Sequence, residues 1–357
     1  MYSLSFKPYM YSAISICSII SLITPKNLNE ENNKFLKYYE VGKRYNPQYN
    51  YSKVDILEIR KYESVFNDAY NKKTNSKIIQ DVLFELLNSI KLIKIIGQPK
   101  VTIYSKEIFG CPDKTIIRKA QDIIDQSNRI IANKKIYTVD YLASIFERRL
   151  KKYGFDWSIT ITPNLSSSIA VDFENYNILL NRNDSFSLQD IKRFQVHEID
   201  THVLRAENGR RQPNRLFKIG FPNFIETEEG FATYNEKRYG LLDNNTLKIY
   251  AGRVLGVNYA LDHDFYSTFV YLNQFFDKSE SLKIVSRVKR GISDTSKKGA
   301  FTKDYVYLNG YNDITNNLDS LSISLLYSGL VSYKYLDYIR EQIDFSRIIE
   351  PISSFYE

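Results

Sequence analysis

Three histidines occur in the 357-residue chain, and two of them fall within six residues, in His197-Glu198-Ile199-Asp200-Thr201-His202. Two imidazoles on one helix, with a carboxylate beside the first, make the donor set of a hydrolytic zinc centre. The rings bind the metal, and the glutamate takes a proton from water that the metal acidifies. The usual form of this motif places the histidines at i and i+4, whereas here they stand at i and i+5. At 3.6 residues per turn, five residues rotate about 500°, which leaves the two rings roughly 140° apart. A regular α-helix therefore cannot bring His197 and His202 to one metal. A one-residue π-bulge or a locally unwound turn can, and such bulges favour functional sites. The bland alternative is a core histidine and a surface histidine that happen to be near each other in sequence.

A second segment bears on that choice. Thr227-Glu228-Glu229-Gly230-Phe231-Ala232 opens a helical run that continues through Thr233-Tyr234-Asn235-Glu236. Taken alone, the paired glutamates read as negative charge complementing a helix N-terminus. A histidine helix followed by an xEGFA helix, however, resembles the gluzincin peptidases, and the resemblance implies Glu229 as the third zinc ligand. Glu236, seven residues on, falls on the same face two turns later, where it can orient a ligand. Glu228 then points elsewhere, toward substrate or another helix.

The motifs also resemble those of the microtubule-associated tyrosine carboxypeptidase family, whose bacterial relatives are called flavohemoglobin expression-modulating QEGLA-motif proteins. The family's HEIGTH followed by VLRxxNGxxQP is matched by His197 to His202, then Val203-Leu204-Arg205, Asn208-Gly209 and Gln212-Pro213. Glu229-Gly230-Phe231-Ala232 stands for its EGLA. Further matches are Thr24-Pro25-Lys26-Asn27, Asn46 to Tyr51, Phe109-Gly110-Cys111-Pro112, Arg287-Val288-Lys289-Arg290-Gly291 and Phe301-Thr302-Lys303-Asp304 through Gly310. The likeness covers about residues 20 to 345. Two positions depart from it: Asp200 stands where the motif has glycine, and Phe231 where it has leucine.

The resemblance implies a zinc-dependent metallocarboxypeptidase that removes a C-terminal tyrosine or other aromatic residue from a protein tail, α-tubulin in a eukaryotic host. His197, His202 and Glu229 would hold Zn2+, and Glu198 would act as the base. Tyr307, Arg290 and Lys303 lie in the C-terminal motifs and are candidates for stabilising the oxyanion; Tyr307 is taken as the catalytic one. A carboxypeptidase must also read a free carboxylate, usually with arginine or lysine. The candidates are Arg205, Arg211, Arg287, Arg290 and Lys303. His263, in Leu261-Asp262-His263-Asp264-Phe265, is expected at the surface or behind a ligand. Two other readings stay open: an endopeptidase or aminopeptidase, and a regulatory binding protein with structural zinc. Against the last, structural zinc favours four closed ligands, and this set has three with a base beside them.

Positioning these residues takes a mainly helical N-terminal part, residues 1–152, and a catalytic part, residues 153–357, joined into one family domain. Ile78 to Ile95 and Lys114 to Ile124 read as helices, the second entered through Pro112-Asp113. Tyr137 to Tyr153 is a third helical run, ended by Gly154. The period then changes to two at Trp157, Ile159 and Ile161, again at Ile169, Val171 and Phe173, with a third short run from Tyr176 to Leu180. Glu174-Asn175 marks a tight hairpin. Ser187-Leu188-Gln189-Asp190 starts the helix that runs into His197. The expected class is α+β, mostly helical, with a zincin-like core and a small mixed sheet beside the metal-binding helix.

Composition narrows the setting. The chain is 43% hydrophobic and 25% charged, with 14 glycines and 9 prolines, which excludes extensive disorder. The net charge of +8 favours an acidic partner without naming one. It does not indicate nucleic acid, because no nucleic-acid module accompanies it. Two distant cysteines, Cys17 and Cys111, make no disulfide framework and point to a reducing, cytoplasmic compartment. The apolar stretch from Met10 to Thr24 is too short and too rich in serine to span a membrane. It is expected to be an ordered, partly buried element of the domain.

Overall fold

The computed structural model describes residues 16–72, 76–127, 135–163, 165, 167–317 and 319–352. The described residues gather into two compact units, each drawn from separate stretches of chain. Lys7–Ile130 and Asn244–Leu308 make one; Ile131–Asp243 and Asn309–Glu357 belong to the other.

The first of these units begins with helices α1 (Ile16–Leu22), α2 (Leu28–Glu40), α3 (Ile56–Asn71), α4 (Lys77–Lys94), α5 (Val101–Phe109) and α6 (Lys114–Gln126). Ile19 and Ile23 are buried, as expected for this N-terminal element, while residues 10–15 lie outside the described residues. Asp113 caps α6 by accepting from the backbone N–H groups of Thr115 and Ile116, so the Pro-Asp start signal acts as read.

The other unit carries the expected change of period. β1 (Tyr137–Thr138) precedes α7 (Val139–Tyr153), which Gly154 ends in the left-handed region. β2 (Ser158–Thr162), β3 (Ile169–Asp172) and β4 (Asn177–Asn181) form a mixed sheet in the order β2-β4-β3, with β2 parallel and β3 antiparallel to β4. β5 (Ser185–Phe186) pairs with β1, so Tyr137 and Thr138 extend along a partner strand and do not join the helix that follows. Ser187 and Asp190 then make the reciprocal capping box that starts α8 (Leu188–Phe194).

α8 passes without a break into a nine-residue π-helix, Gln195–Val203, and this into α9 (Leu204–Arg211). After the single turn of α10 (Leu216–Ile219) comes α11 (Phe224–Arg238), which packs along the π-helix. β3 lies against the π-helix as well, which puts the small mixed sheet beside it as expected. The fold is thus mostly helical with two small sheets, an α+β arrangement.

The chain returns to the first unit with α12 (Asn244–Ala260), α13 (Phe265–Leu272) and α14 (Lys278–Val288). There Phe35 meets Phe265 and Phe269 edge-on, at 4.9 and 4.8 Å between ring centroids. α15 (Val306–Asn317), α16 (Ser320–Leu325) and α17 (Leu336–Gln342) follow. No described helix is long and apolar enough to cross a membrane.

Asp264, which caps α13, gives this unit an acid-sensitive point. Burial pushes its carboxyl up, but hydrogen bonds from Arg44, Ser267 and Asn46 prevail and hold it at about 2. A folded value below the unfolded one stabilises the protein above the ordinary aspartate range, and that stability is lost as pH falls through the folded value. Acid unfolding between about pH 4 and 2 is therefore expected to become less steep in Asp264→Asn than in wild type, as followed by circular dichroism.

Candidate metal centre

The i, i+5 spacing is resolved by the π-helix. Five residues make roughly one turn of a helix with i→i+5 bonding, so His197 and His202 return to one face. Their rings stand 4.8 Å apart between centroids at an interplanar angle of 83°. Side chains hold this winding: Thr201 Oγ1 donates to the carbonyl of Val196, five residues back, at 2.8 Å. Asn235 Nδ2, from α11, donates to the same hydroxyl at 2.9 Å.

Both histidines turn their Nε2 atoms to one carboxylate oxygen. His197 Nε2 and His202 Nε2 each lie 3.7 Å from Glu229 Oε2. Donors around a tetrahedral zinc with bonds of about 2.0–2.1 Å lie roughly 3.4 Å apart. The pair of Nε2 atoms and the Glu229 oxygen therefore fit a metal with shifts of a few tenths of an ångström. Donor atoms of His197, His202 and Glu198 also lie within 4.8 Å of one another. All four side chains are buried.

The opposite ring nitrogens are committed elsewhere. His197 Nδ1 lies 2.7 Å from Glu236 Oε1, and His202 Nδ1 lies 2.6 Å from Glu228 Oε1. A carboxylate on Nδ1 fixes the proton there and leaves Nε2 as the electron-pair donor. Each carboxylate is backed in turn by an arginine. Arg193 Nη1 donates to Glu236 Oε1 at 3.0 Å, and Arg205 Nη1 donates to Glu228 Oε2. The site is thus built of two parallel relays, Arg193–Glu236–His197 and Arg205–Glu228–His202. If the centre holds a divalent metal, replacing Glu236 or Glu228 with alanine is expected to weaken its binding roughly 10–100-fold, measured by competition with a chromophoric chelator.

Burial and charge act in opposite directions here. Burial opposes protonation of His197, but the charge of Glu198 and hydrogen bonds with Glu229 and Glu236 prevail and raise its imidazole well above the usual value. Binding a cation at Nε2 must displace that proton. Burial raises Glu198 above the ordinary glutamate range, with His197 and His202 pulling it only partly back, which suits a proton acceptor near neutral pH. Burial would raise Glu236 too, yet Arg193 and His197 bring it below the ordinary range and keep it ionised.

Arg205, expected among the readers of a substrate carboxylate, is instead fully buried behind His202. Its remaining hydrogen bonds go to the carbonyls of Leu326 and Val331, both at 2.8 Å. Asp200 turns to Arg149 and Tyr153. Arg193 and Glu228 were not foreseen in the relays. Their signals were spacings: Arg193 is four residues before His197, and Glu228 directly precedes Glu229. Arg211 is exposed in the last turn of α9.

Tyr307, Arg287, Arg290 and Lys303 belong to the other unit. There Arg287 Nε and Nη2 hold Asp304 at 2.7 and 2.8 Å, and buried Arg290 Nη2 lies 3.5 Å from the same carboxylate. Lys303 Nζ sits 5.1 Å and Arg253 Cζ 4.7 Å from the centroid of the Tyr307 ring. His263 is exposed, stacked at 3.8 Å on Tyr259, in keeping with a surface role.

The family model for microtubule-associated tyrosine carboxypeptidases matches residues 33–352. The chain belongs to that family. Microtubule-associated tyrosine carboxypeptidase 1 of Mus musculus is 26% identical, over 92% of this chain and 63% of its own length. The Homo sapiens protein of the same name is 24% identical, over 91% and 62%. An uncharacterised protein of Acanthamoeba polyphaga mimivirus, L174, is 26% identical over 58% of this chain and 64% of its own length. The chain spans a little under two thirds of the length of these relatives.

Proposed function

We propose that this protein is a zinc-dependent metallocarboxypeptidase that removes a C-terminal tyrosine or other aromatic residue from a protein tail. The convergence of two histidine Nε2 atoms on one oxygen of Glu229, with buried Glu198 beside them, supports the metallopeptidase part of this reading. Membership of the family, and relatives named tyrosine carboxypeptidases, support the substrate class. The chain's net charge of +8 suits an acidic tail such as that of tubulin.

In this reading His197, His202 and Glu229 hold the ion. Zinc supplies Lewis acidity toward the scissile carbonyl and makes water acidic enough to react near neutral pH. Glu198 accepts the proton of the attacking water as the new carbon–oxygen bond forms, then delivers it to the amine as the carbon–nitrogen bond breaks. The relays through Glu236 and Glu228 keep both imidazoles in the tautomer that donates from Nε2. Tyr307 as an oxyanion donor, and Arg211, Arg287, Arg290 and Lys303 as readers of the substrate carboxylate, are carried by the family resemblance. Arg205 is reassigned to the His202 relay.

The test pairs metal analysis with peptides ending in tyrosine, one with a free C-terminus and one amidated. One zinc per chain and release of tyrosine from the free peptide alone are expected. Cleavage of the amidated peptide would replace the carboxypeptidase reading with an endopeptidase or aminopeptidase. Zinc without cleavage of either peptide would favour a regulatory binding protein.

A further inference from the structure

The face of the π-helix away from the histidines is gripped as closely as the metal face. Asp200, between Glu198 and His202, accepts from Arg149 Nε at 2.9 Å and Nη2 at 2.6 Å, and from the Tyr153 hydroxyl at 2.8 Å. Arg149 and Asp200 are both buried. The same two α7 side chains hold both backbone polar groups of one residue of the C-terminal segment. Arg149 Nη2 donates to the carbonyl of Ile352 at 2.7 Å, and Ile352 N donates to the Tyr153 hydroxyl at 2.9 Å. The four groups close a ring of hydrogen bonds in which every donor and acceptor role is consistent.

The grip continues along α9. Asn208 Nδ2 donates to Ile349 O and its Oδ1 accepts from Ile349 N, both at 2.9 Å. Gln212 does the same with Asp344, at 3.2 and 2.8 Å. Asp200 lies in the π-helix, Asn208 in α9 and Gln212 just past its end, and their partners run in the reverse order, Ile352, Ile349 and Asp344. All of these contacts reach the backbone of the segment and none its side chains.

A π-helix is rare and needs tertiary contacts to be preferred over α. We propose that Asp200, Arg149 and Tyr153 are positioning residues for the metal centre, setting the winding of the π-helix against the Asp344–Ile352 backbone. This inference rests on the metal-centre reading above. Asp200 occupies the glycine position of the resembled motif, so its bonds to Arg149 and Tyr153 are not implied by that resemblance.

The experiment measures zinc affinity by chelator competition, and the visible absorption of the cobalt-substituted protein, which reports ligand geometry. Tyr153→Phe removes one oxygen, Asp200→Asn removes the charge, and the double variant Arg149→Met/Asp200→Leu replaces the buried pair with apolar groups that restore packing. About a tenfold loss of zinc affinity and an altered cobalt band are expected in both single variants. The double variant is expected to recover thermal stability without recovering either signal. Wild-type affinity and spectrum in Tyr153→Phe and Asp200→Asn, or their recovery along with stability in the double variant, would overturn the positioning role while leaving the metal centre intact. A wild-type protein that binds neither zinc nor cobalt would overturn the metal-centre reading itself.

Discussion

Glu198→Gln is expected to keep its zinc and to lose roughly 10²–10⁴-fold in the rate of peptide cleavage. The two effects separate because the side chain has no place among the proposed ligands. Glutamine keeps its shape and can still accept a hydrogen bond, but it cannot take a proton. The relays to His197 and His202 run through Glu236 and Glu228, so the donor atoms need not move. Zinc stoichiometry by elemental analysis, with initial rates on a peptide ending in tyrosine, checks both halves. A variant with full zinc and full activity would remove Glu198 from the mechanism; one that had lost its metal would make the residue a ligand.

Gly310→Ala is expected to destabilise the protein by roughly 3 kcal/mol, at the upper end for overpacking, and to loosen the metal centre from a distance. α11 and α15 cross through Gly230 and Gly310 with no room for a methyl group. A Cβ on Gly310 would fall 2.1 Å from the carbonyl oxygen of Glu226, and one on Gly230 would fall 2.2 Å from the carbonyl carbon of Gly310. Backbone occupies both sides, so no side-chain rotation relieves the clash and the helices must separate. Glu229 is adjacent to the crossing, so displacing α11 moves a proposed ligand. Thermal unfolding and zinc affinity are expected to fall together. Unchanged zinc affinity with lowered stability would show that the ligand helix tolerates the shift.

That crossing explains two glycines that appear in the sequence only as parts of separate motifs. Gly230 follows Glu229 and Gly310 closes the Phe301–Gly310 segment, and contact between their helices is a fact of tertiary packing that neither segment announces. The histidine spacing was more legible, because geometry alone demanded a departure from the α-helix, and a π-helix is present. The capping box at Ser187 and the three short strands were readable for the same reason: their signals are local. Glu236 was visible through its seven-residue spacing from Glu229. Arg193 was not, since an arginine on a helix before a core residue reads as solvated charge. The buried course of Arg205 toward Glu228 was not legible, because the sequence does not say which way a motif arginine points. The pairing of Tyr137–Thr138 with Ser185–Phe186 joins residues almost fifty positions apart and leaves no mark in either dipeptide.

The π-helix also has a consequence for how such a site can change. α8 and α9 are ordinary α-helices on either side of it, so the surplus residue is absorbed within nine positions. Deleting one residue between Glu198 and His202 would restore the four-residue histidine spacing. It would also rotate everything downstream by about 100° relative to α8. Arg205, Asn208 and Gln212 would then leave their partners, and the gain on one face would be cancelled on the other. Point substitutions cannot trade one spacing for the other, and a single-codon deletion meets a barrier from the rest of the unit. The longer motif is therefore held in place by contacts that lie beyond the proposed ligands themselves.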